Sequence, residues 1–213
     1  MPLQNYILIK MNNRKKSDRK AIRLKEYDYS SPGYYFVTIC TKDRKCLFGE
    51  ITDQGMGFND AGSMVKKVWD ELPIFYPNIT RDVFVVMPNH IHGIIIIDSF
   101  KNAGAGPRAC PEHPGAIDGQ PQGVAPTNQD LSLPDIVHRF KSMTTNQYIK
   151  NVKQNDWKPF NKKLWQRNYY EHVIRNDIDL EETREYILNN PKKWDLDKNN
   201  PINWETQRKV NNV

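Results

Sequence analysis

Two histidines one residue apart, His90 and His92, lie inside an apolar run from Val83 to Ile97. Such a run reads as β-structure, in which successive side chains point to opposite faces. The two imidazoles therefore share a face and Ile91 takes the other. Side by side they make half of a metal site. Near the C-terminal end Glu182, Tyr186 and Asn190 recur at intervals of four in a segment of helical pattern. A carboxylate, a phenol and a carboxamide then share one helix side. If that side faces the histidines, His90, His92 and the Asn190 oxygen form a ligand set for a divalent cation. Hard nitrogen and oxygen ligands without thiolate suit Mg²⁺ or Mn²⁺. A cation so held polarises a phosphoryl oxygen. The Tyr186 hydroxyl would attack phosphorus to give a covalent phosphotyrosine. A phenol is mostly protonated at neutral pH, so a cation or base must help it ionise. Each residue also has an ordinary reading: a structural histidine pair, a core aromatic, a helix-end asparagine before Pro191, a capping glutamate.

The elements that must position these groups follow from pattern. Tyr34–Thr41 is rich in β-branched and aromatic residues and reads as a strand, and a second strand runs through Cys46-Leu47-Phe48 and Ile51 to Gly55 and Gly57. Asn59 or Asp60 caps a helix carrying Met64, Val65, Val68, Trp69 and Leu72, with Pro73 at its end. Residues 83–97 supply one or two strands around Pro88. Between Ser99 and Asp130 prolines and glycines replace large apolar residues, which reads as a flexible insertion spanning 99–131. Ser132 and Asp135 resemble a capping box ahead of an amphipathic helix through Ile136, Val137, Phe140, Met143 and Tyr148. Leu164–Ile174 reads as extended. Asp179 is expected to start the last helix, with Glu182 at the capping-box position and Pro191 stopping it. The order ββαβ(β)–loop–αβα implies an α+β protein with helices packed on a mainly antiparallel sheet.

Composition narrows the class. The chain has 213 residues, with 31 Lys and Arg against 25 Asp and Glu and a pI near 9.1. One domain with a real core fits that length. The basic balance suggests an anionic partner, nucleic acid first. Cys40, Cys46 and Cys110 form no CxxC pair, which argues against a disulfide framework and a thiolate zinc site. Tyr6-Ile7-Leu8-Ile9 is too short for a signal-peptide core, and no apolar run approaches a membrane span. The expectation is a cytoplasmic protein. The domain reading is a basic arm over 1–26, carrying Arg14-Lys15-Lys16 and Arg19-Lys20, a catalytic domain over 27–194, and a polar tail over 195–213 with Trp204 as an isolated anchor.

Four blocks together resemble the REP-associated tyrosine transposases, a branch of the single-strand transposases in the HUH endonuclease superfamily. They are Pro32-Gly33-Tyr34-Tyr35-Phe36-Val37-Thr38, Met87-Pro88-Asn89-His90-Ile91-His92, Trp165 to Arg175 (WQRNYYEHVIR), and Tyr186-Ile187-Leu188-Asn189-Asn190-Pro191. The resemblance runs from about Tyr27 to about Trp194. It implies a ferredoxin-like antiparallel sheet with flanking helices, the HUH endonuclease fold. It places the family's paired metal-binding histidines on His90 and His92, its nucleophile on Tyr186 and its third ligand on Asn190. The implied activity is cleavage and rejoining of one DNA strand through a 5′-phosphotyrosine, on single-stranded or hairpin DNA of repetitive palindromic elements. The implied place of action is the nucleoid. Relatives occur as monomers and as dimers, so a homodimer is one expected state.

Lys141, Lys150, Arg167, Tyr169, Tyr170 and Arg175 offer charge and stacking for such a substrate. Two other roles fit parts of the pattern. A non-cleaving binder of repeat hairpins would be expected to have a broken ligand set, and here His90, His92, Asn190 and Tyr186 are all present. A replication-initiator-like nickase would share the chemistry, but such proteins are larger and carry helicase or extra histidine motifs.

Overall fold

The computed structural model describes residues 24, 26–99 and 131–203. The basic runs at 14–20, the 100–130 segment with Cys110, and Trp204 lie outside the described residues. The strands are β1 (Gly33–Cys40), β2 (Gly49–Thr52), β3 (Gly55–Phe58), β4 (Ile79–Met87), β5 (His90–Ile97) and β6 (Tyr170–Ile174). The helices are α1 (Asp60–Phe75), α2 (Leu133–Gln154) and α3 (Asp177–Asn189), and a 3₁₀ turn, Pro191–Leu196, follows α3.

Strands β4, β5, β1 and β6 form one antiparallel sheet in that order. With the separate β2–β3 hairpin set aside, the chain runs strand, helix, strand, strand, helix, strand. That sequence with that strand order is the ferredoxin-like arrangement, and α3 is added after it. The α+β class expected from the sequence is the one observed.

Alternation along the strands sorts the side chains into two unequal layers. Tyr35, Val37 and Ile39 of β1 and Ile91, Ile95 and Ile97 of β5 face α1 and α2, where they meet Val65, Val68, Trp69, Leu72, Ile136, Val137 and Phe140 in the main core. Trp69 stacks on Phe84 at 4.4 Å and meets the Phe140 ring edge-on at 5.5 Å. Gly93 is required under that stack, because a Cβ there would lie 2.5 Å from the Trp69 ring. The other face carries Phe36, Ile94 and Ile174, covered by Leu180, Ile187 and Tyr186 of α3. His90 and His92 lie on this thinner side.

Caps explain the helix starts. The Asn59 side chain accepts from the Gly62 N–H, and the Ser132 N–H donates to Asp135, as the sequence suggests. Pro73 lies in the last turn of α1. Two boundaries differ from expectation. Helix α3 starts at Asp177, because the Asn176 side chain accepts from the Asp179 N–H at 2.9 Å. Asp179 therefore takes the position expected of Glu182, and Asp177 and Asp179 both sit where the helix dipole favours negative charge. The strand expected from Cys46 to Gly57 is instead the tight β2–β3 hairpin. Leu47 and Phe48 precede it and donate their N–H groups to the Pro88 carbonyl, while Gly55 takes the positive φ, +105°, that closes the turn. No helix among the described residues is long and apolar enough to cross a membrane.

Candidate metal and nucleophile site

Pro88 and Asn89 form the turn between β4 and β5, and His90 is the first residue after it. The register sets Thr38 opposite His92 and Cys40 opposite His90. Both imidazoles are buried and converge, with their Nε2 atoms 3.0 Å apart. Asn89 fixes the tautomer of His90. Its Nδ2 donates to the backbone carbonyls of Arg44 and Asn199, so its Oδ1 must accept from His90 Nδ1–H, at 2.8 Å. His90 Nε2 then carries a lone pair aimed into the site. His92 Nδ1 lies 2.8 Å from Thr38 Oγ1, and the Phe36 ring stacks on His92 at 5.6 Å. Burial holds both imidazoles neutral: it pushes His90 down to about 3, helped by Arg44 and Lys198, and His92 well below its usual value, helped by His90.

Helix α3 and the turn after it close the site. The Tyr186 ring meets His92 edge-on at 5.4 Å and Phe36 at 5.9 Å. Burial and the Asp197 carboxylate hold its phenol above the usual range, while a hydrogen bond from Asn190 acts in the opposite direction. Asn190 caps α3 and is buried, and its Oδ1 accepts no hydrogen bond. Asp197 reaches back to His90, with Oδ2 3.4 Å from Nε2, and that oxygen too accepts no hydrogen bond. Trp194 stacks over His90 at 6.1 Å. The ligand atoms of His90, His92 and Asp197 all lie within 4.8 Å of one another.

A divalent cation fits this donor set. Two ligands each about 2.1 Å from one ion and near a right angle stand about 3 Å apart, and the two Nε2 atoms show that separation. Two buried, unsatisfied carboxylate and carboxamide oxygens nearby are costly unless something pairs with them.

The structure thus gathers His90, His92, Tyr186 and Asn190 in one region. Glu182 shares their helix but faces a groove along β6. Asp197 was missed, as it sits in the stretch expected to be a polar tail. A carboxylate three residues after a stacking tryptophan, Trp194, would not be found by periodicity, since no regular element links it to His90. Asn89 stands directly before His90 in the sequence, but its orienting role needs the turn geometry.

The expected DNA-contacting residues separate. The groove, of about 840 Å³, is lined by Arg44, Tyr169, Tyr170, Arg175 and Lys198 among others, and it reaches Thr38 and Cys40, the strand neighbours of the two histidines. Tyr170 points to the site face, its ring 6.1 Å from Phe36. Tyr169 points the other way and is buried in the main core. The Lys141 ammonium lies 5.3 Å above the Tyr169 ring and donates to the carbonyls of Gln166 and Arg167. Arg167 and Arg175 are exposed. Lys150 is exposed on α2, which covers the opposite sheet face.

The family model described as "Transposase IS200 like" matches residues 124–190, which hold α2, β6, α3 and Asn190. An uncharacterized protein of Haemophilus influenzae is 43% identical over 180 residues, covering 84% of this chain and 91% of that one. A second protein of that organism, named for REP-associated tyrosine transposases, is 27% identical over 169 residues, covering 78% of this chain and 74% of its own. A solved structure of a REP-associated tyrosine transposase bound to a REP hairpin aligns at a TM-score of 0.48 and 20% identity, covering 80% of this chain and 73% of that one. Over residues 124–190 the chain matches the IS200-like transposase family, and over 169 residues it is similar to a REP-associated tyrosine transposase.

Proposed function

We propose that this protein cuts and rejoins one strand of single-stranded or hairpin DNA through a 5′-phosphotyrosine on Tyr186. The observation that carries the reading is the placement of the Tyr186 ring against His92, whose Nε2 stands 3.0 Å from that of His90. His90 and His92, with the Asn190 and Asp197 oxygens, are the residues that would hold Mg²⁺ or Mn²⁺. The bound cation supplies positive charge to a phosphoryl oxygen and favours the phenolate.

The chain's own groups do the rest. Tyr186 Oη loses its proton and forms a bond to phosphorus. The bond from phosphorus to the 3′ oxygen breaks, and that oxygen leaves as a 3′-hydroxyl after taking up a proton. The 5′-phosphate stays on the enzyme as an ester whose energy is kept for the reverse step, in which a 3′-hydroxyl attacks and frees Tyr186. Phe36 and Trp194 pack the rings of His92 and His90, and Asn89 and Thr38 hold their far nitrogens, so the ligands are set before substrate arrives. Substrate would follow the β6 groove, where Tyr170 offers a stacking ring and Arg44, Arg175 and Lys198 offer charge. Arg167, Lys141 and Tyr169 are assigned supporting roles around it, and Lys150, on the opposite sheet face, is assigned none. Action at repeat hairpins, in the cytoplasm on the nucleoid and as a monomer or homodimer, belongs to the same proposal.

The test is mass spectrometry of the trapped adduct formed with Mn²⁺ on a single-stranded hairpin oligonucleotide. A DNA-linked peptide containing Tyr186 is expected. One containing Tyr169 or Tyr170, or cleavage undiminished in chelator, would overturn the reading.

A further inference from the structure

Helix α3 has a weak apolar hold. Among its residues only Leu180, Thr183 and Ile187 are buried, and the Thr183 hydroxyl has no hydrogen-bond partner. Apolar contact is non-directional and does not fix the roll of a helix about its axis. Yet the roll decides where the Tyr186 hydroxyl stands relative to His92.

Two polar ties run from α3 to the two opposite edge strands of the sheet. Asp179, in the first turn, accepts from His172 of β6, with Nε2 at 2.9 Å from both carboxylate oxygens. Arg184 reaches the other edge. Its Nε donates to both oxygens of Asp82 on β4, at 3.2 and 3.0 Å, and its Nη2 donates to Asp82 Oδ2. Asp82 sits where the β4–β5 register shifts, between Arg81 and Phe84, and its Oδ1 also accepts from the Val83 N–H at 2.7 Å. The irregularity in β4 thus presents a carboxylate that is 13% exposed to a guanidinium that is 32% exposed. A forked, partly buried Arg–carboxylate pair has directional bonds that a single ammonium cannot reproduce. Glu181 makes a further contact to Arg184 but is 69% exposed, so it adds little.

At about 100° per residue, Arg184 and Tyr186 project from opposite flanks of α3. We propose that Asp82 and Arg184 are positioning residues that set the roll of α3, and so the distance of the Tyr186 hydroxyl from the histidine pair. The proposal rests on Tyr186 being the nucleophile. Neither residue touches the reacting atoms. A misplacement of about 1 Å at a reacting group costs on the order of 10²-fold in rate.

The experiment measures single-turnover adduct formation on a 3′-labelled single-stranded hairpin oligonucleotide with Mn²⁺, beside DNA affinity and thermal midpoint. The variants are Asp82→Asn, Arg184→Lys and the exchanged pair Asp82→Arg/Arg184→Asp. Each single variant should slow the adduct step by roughly tenfold or more, with DNA affinity within about twofold because the groove residues are untouched. The exchanged pair should recover much of the rate, which mere loss of packing would not allow. Wild-type rates in Asp82→Asn and Arg184→Lys, with Tyr186→Phe inactive, would sink the positioning role and leave the nucleophile standing. Loss of rate, affinity and fold together, with no recovery in the exchanged pair, would sink it as well. An active Tyr186→Phe variant would overturn the nucleophile instead.

Discussion

The two faces of the sheet are built on different principles. The face under α1 and α2 is closed by apolar contacts, with a Trp69–Phe84 stack at its centre and a glycine opposite to admit it. The face under α3 has a small apolar patch and then a row of polar groups, each held by a named partner: Thr38 to His92, Asn89 to His90, Asp82 to Arg184, His172 to Asp179. One face supplies stability and the other holds groups in unfavourable states: neutral buried imidazoles, unsatisfied oxygens, a phenol hard to ionise. A rigid support is what allows that, since the same strands carry Ile91 on one side and His92 on the other.

The largest expected effect on the α3 face is chemical. Tyr186→Phe removes one hydroxyl and should abolish the protein–DNA adduct, while the urea midpoint stays near that of the parent, because the ring contacts with Phe36 and His92 survive. An adduct retained in gel assays would break the division of labour. The largest effect on the opposite face is thermodynamic. Trp69→Ala should cost about 3–5 kcal/mol of unfolding free energy, yet the remaining folded protein should still form the adduct at low temperature. A folded Trp69→Ala protein without that activity would mean that the faces are not separable.

Legibility in the sequence follows the same division. The apolar run of β4 and β5, the β-branched and aromatic content of β1 and the 3.6-residue pattern of α1 and α2 are strong because that face is apolar and continuous, so class, helices and the shared face of His90 and His92 could all be read. The spacing of Tyr186 and Asn190 was equally readable, as one helix carries both. Asp197 could not be read. It reaches His90 from a turn, and its partner is 107 residues away in the chain, a contact that only the folded path of Pro191–Leu196 creates. The β2–β3 hairpin was misread because Gly55 looks like a strand end, whereas its positive φ makes a turn. Lys141 looked like a surface cation, but three carbonyls at the end of an extended segment take up its ammonium.

A smaller effect concerns pH. In chelator, both buried imidazoles are neutral in the folded protein, with His90 pushed down to about 3 and His92 also lowered from the ordinary 6.5. Unfolded, each takes a proton near 6.5. Between those values the unfolded chain binds more protons, so this contribution is fully present above about pH 6.5 and is lost progressively as pH falls toward 3. Urea midpoints of the metal-free protein should therefore drop on going from about pH 7.5 to about pH 4.5. His90→Gln/His92→Gln should flatten the profile over that range. An unchanged slope in the double variant would assign the loss to other groups.

The smallest effect tests how the site holds its ligands. His92 has two supports: the Thr38 hydroxyl at 2.8 Å and the face of Phe36 at 5.6 Å. With His92 Nε2 free to donate its lone pair to a cation, Nδ1 must carry the proton, and Thr38 Oγ1 is its acceptor. Thr38→Val keeps the shape and removes the acceptor. The stacked ring still fixes the plane of the imidazole, so only the tautomer is left uncontrolled. Mn²⁺ affinity should fall by about tenfold, the low end of what loss of such a partner costs, and calorimetric titration would read it. Phe36→Leu should do less to the affinity, since the hydrogen bond remains. If the order were reversed, the apolar patch and not the polar row would be what sets the ligands, and the contrast between the two faces would fail at its centre.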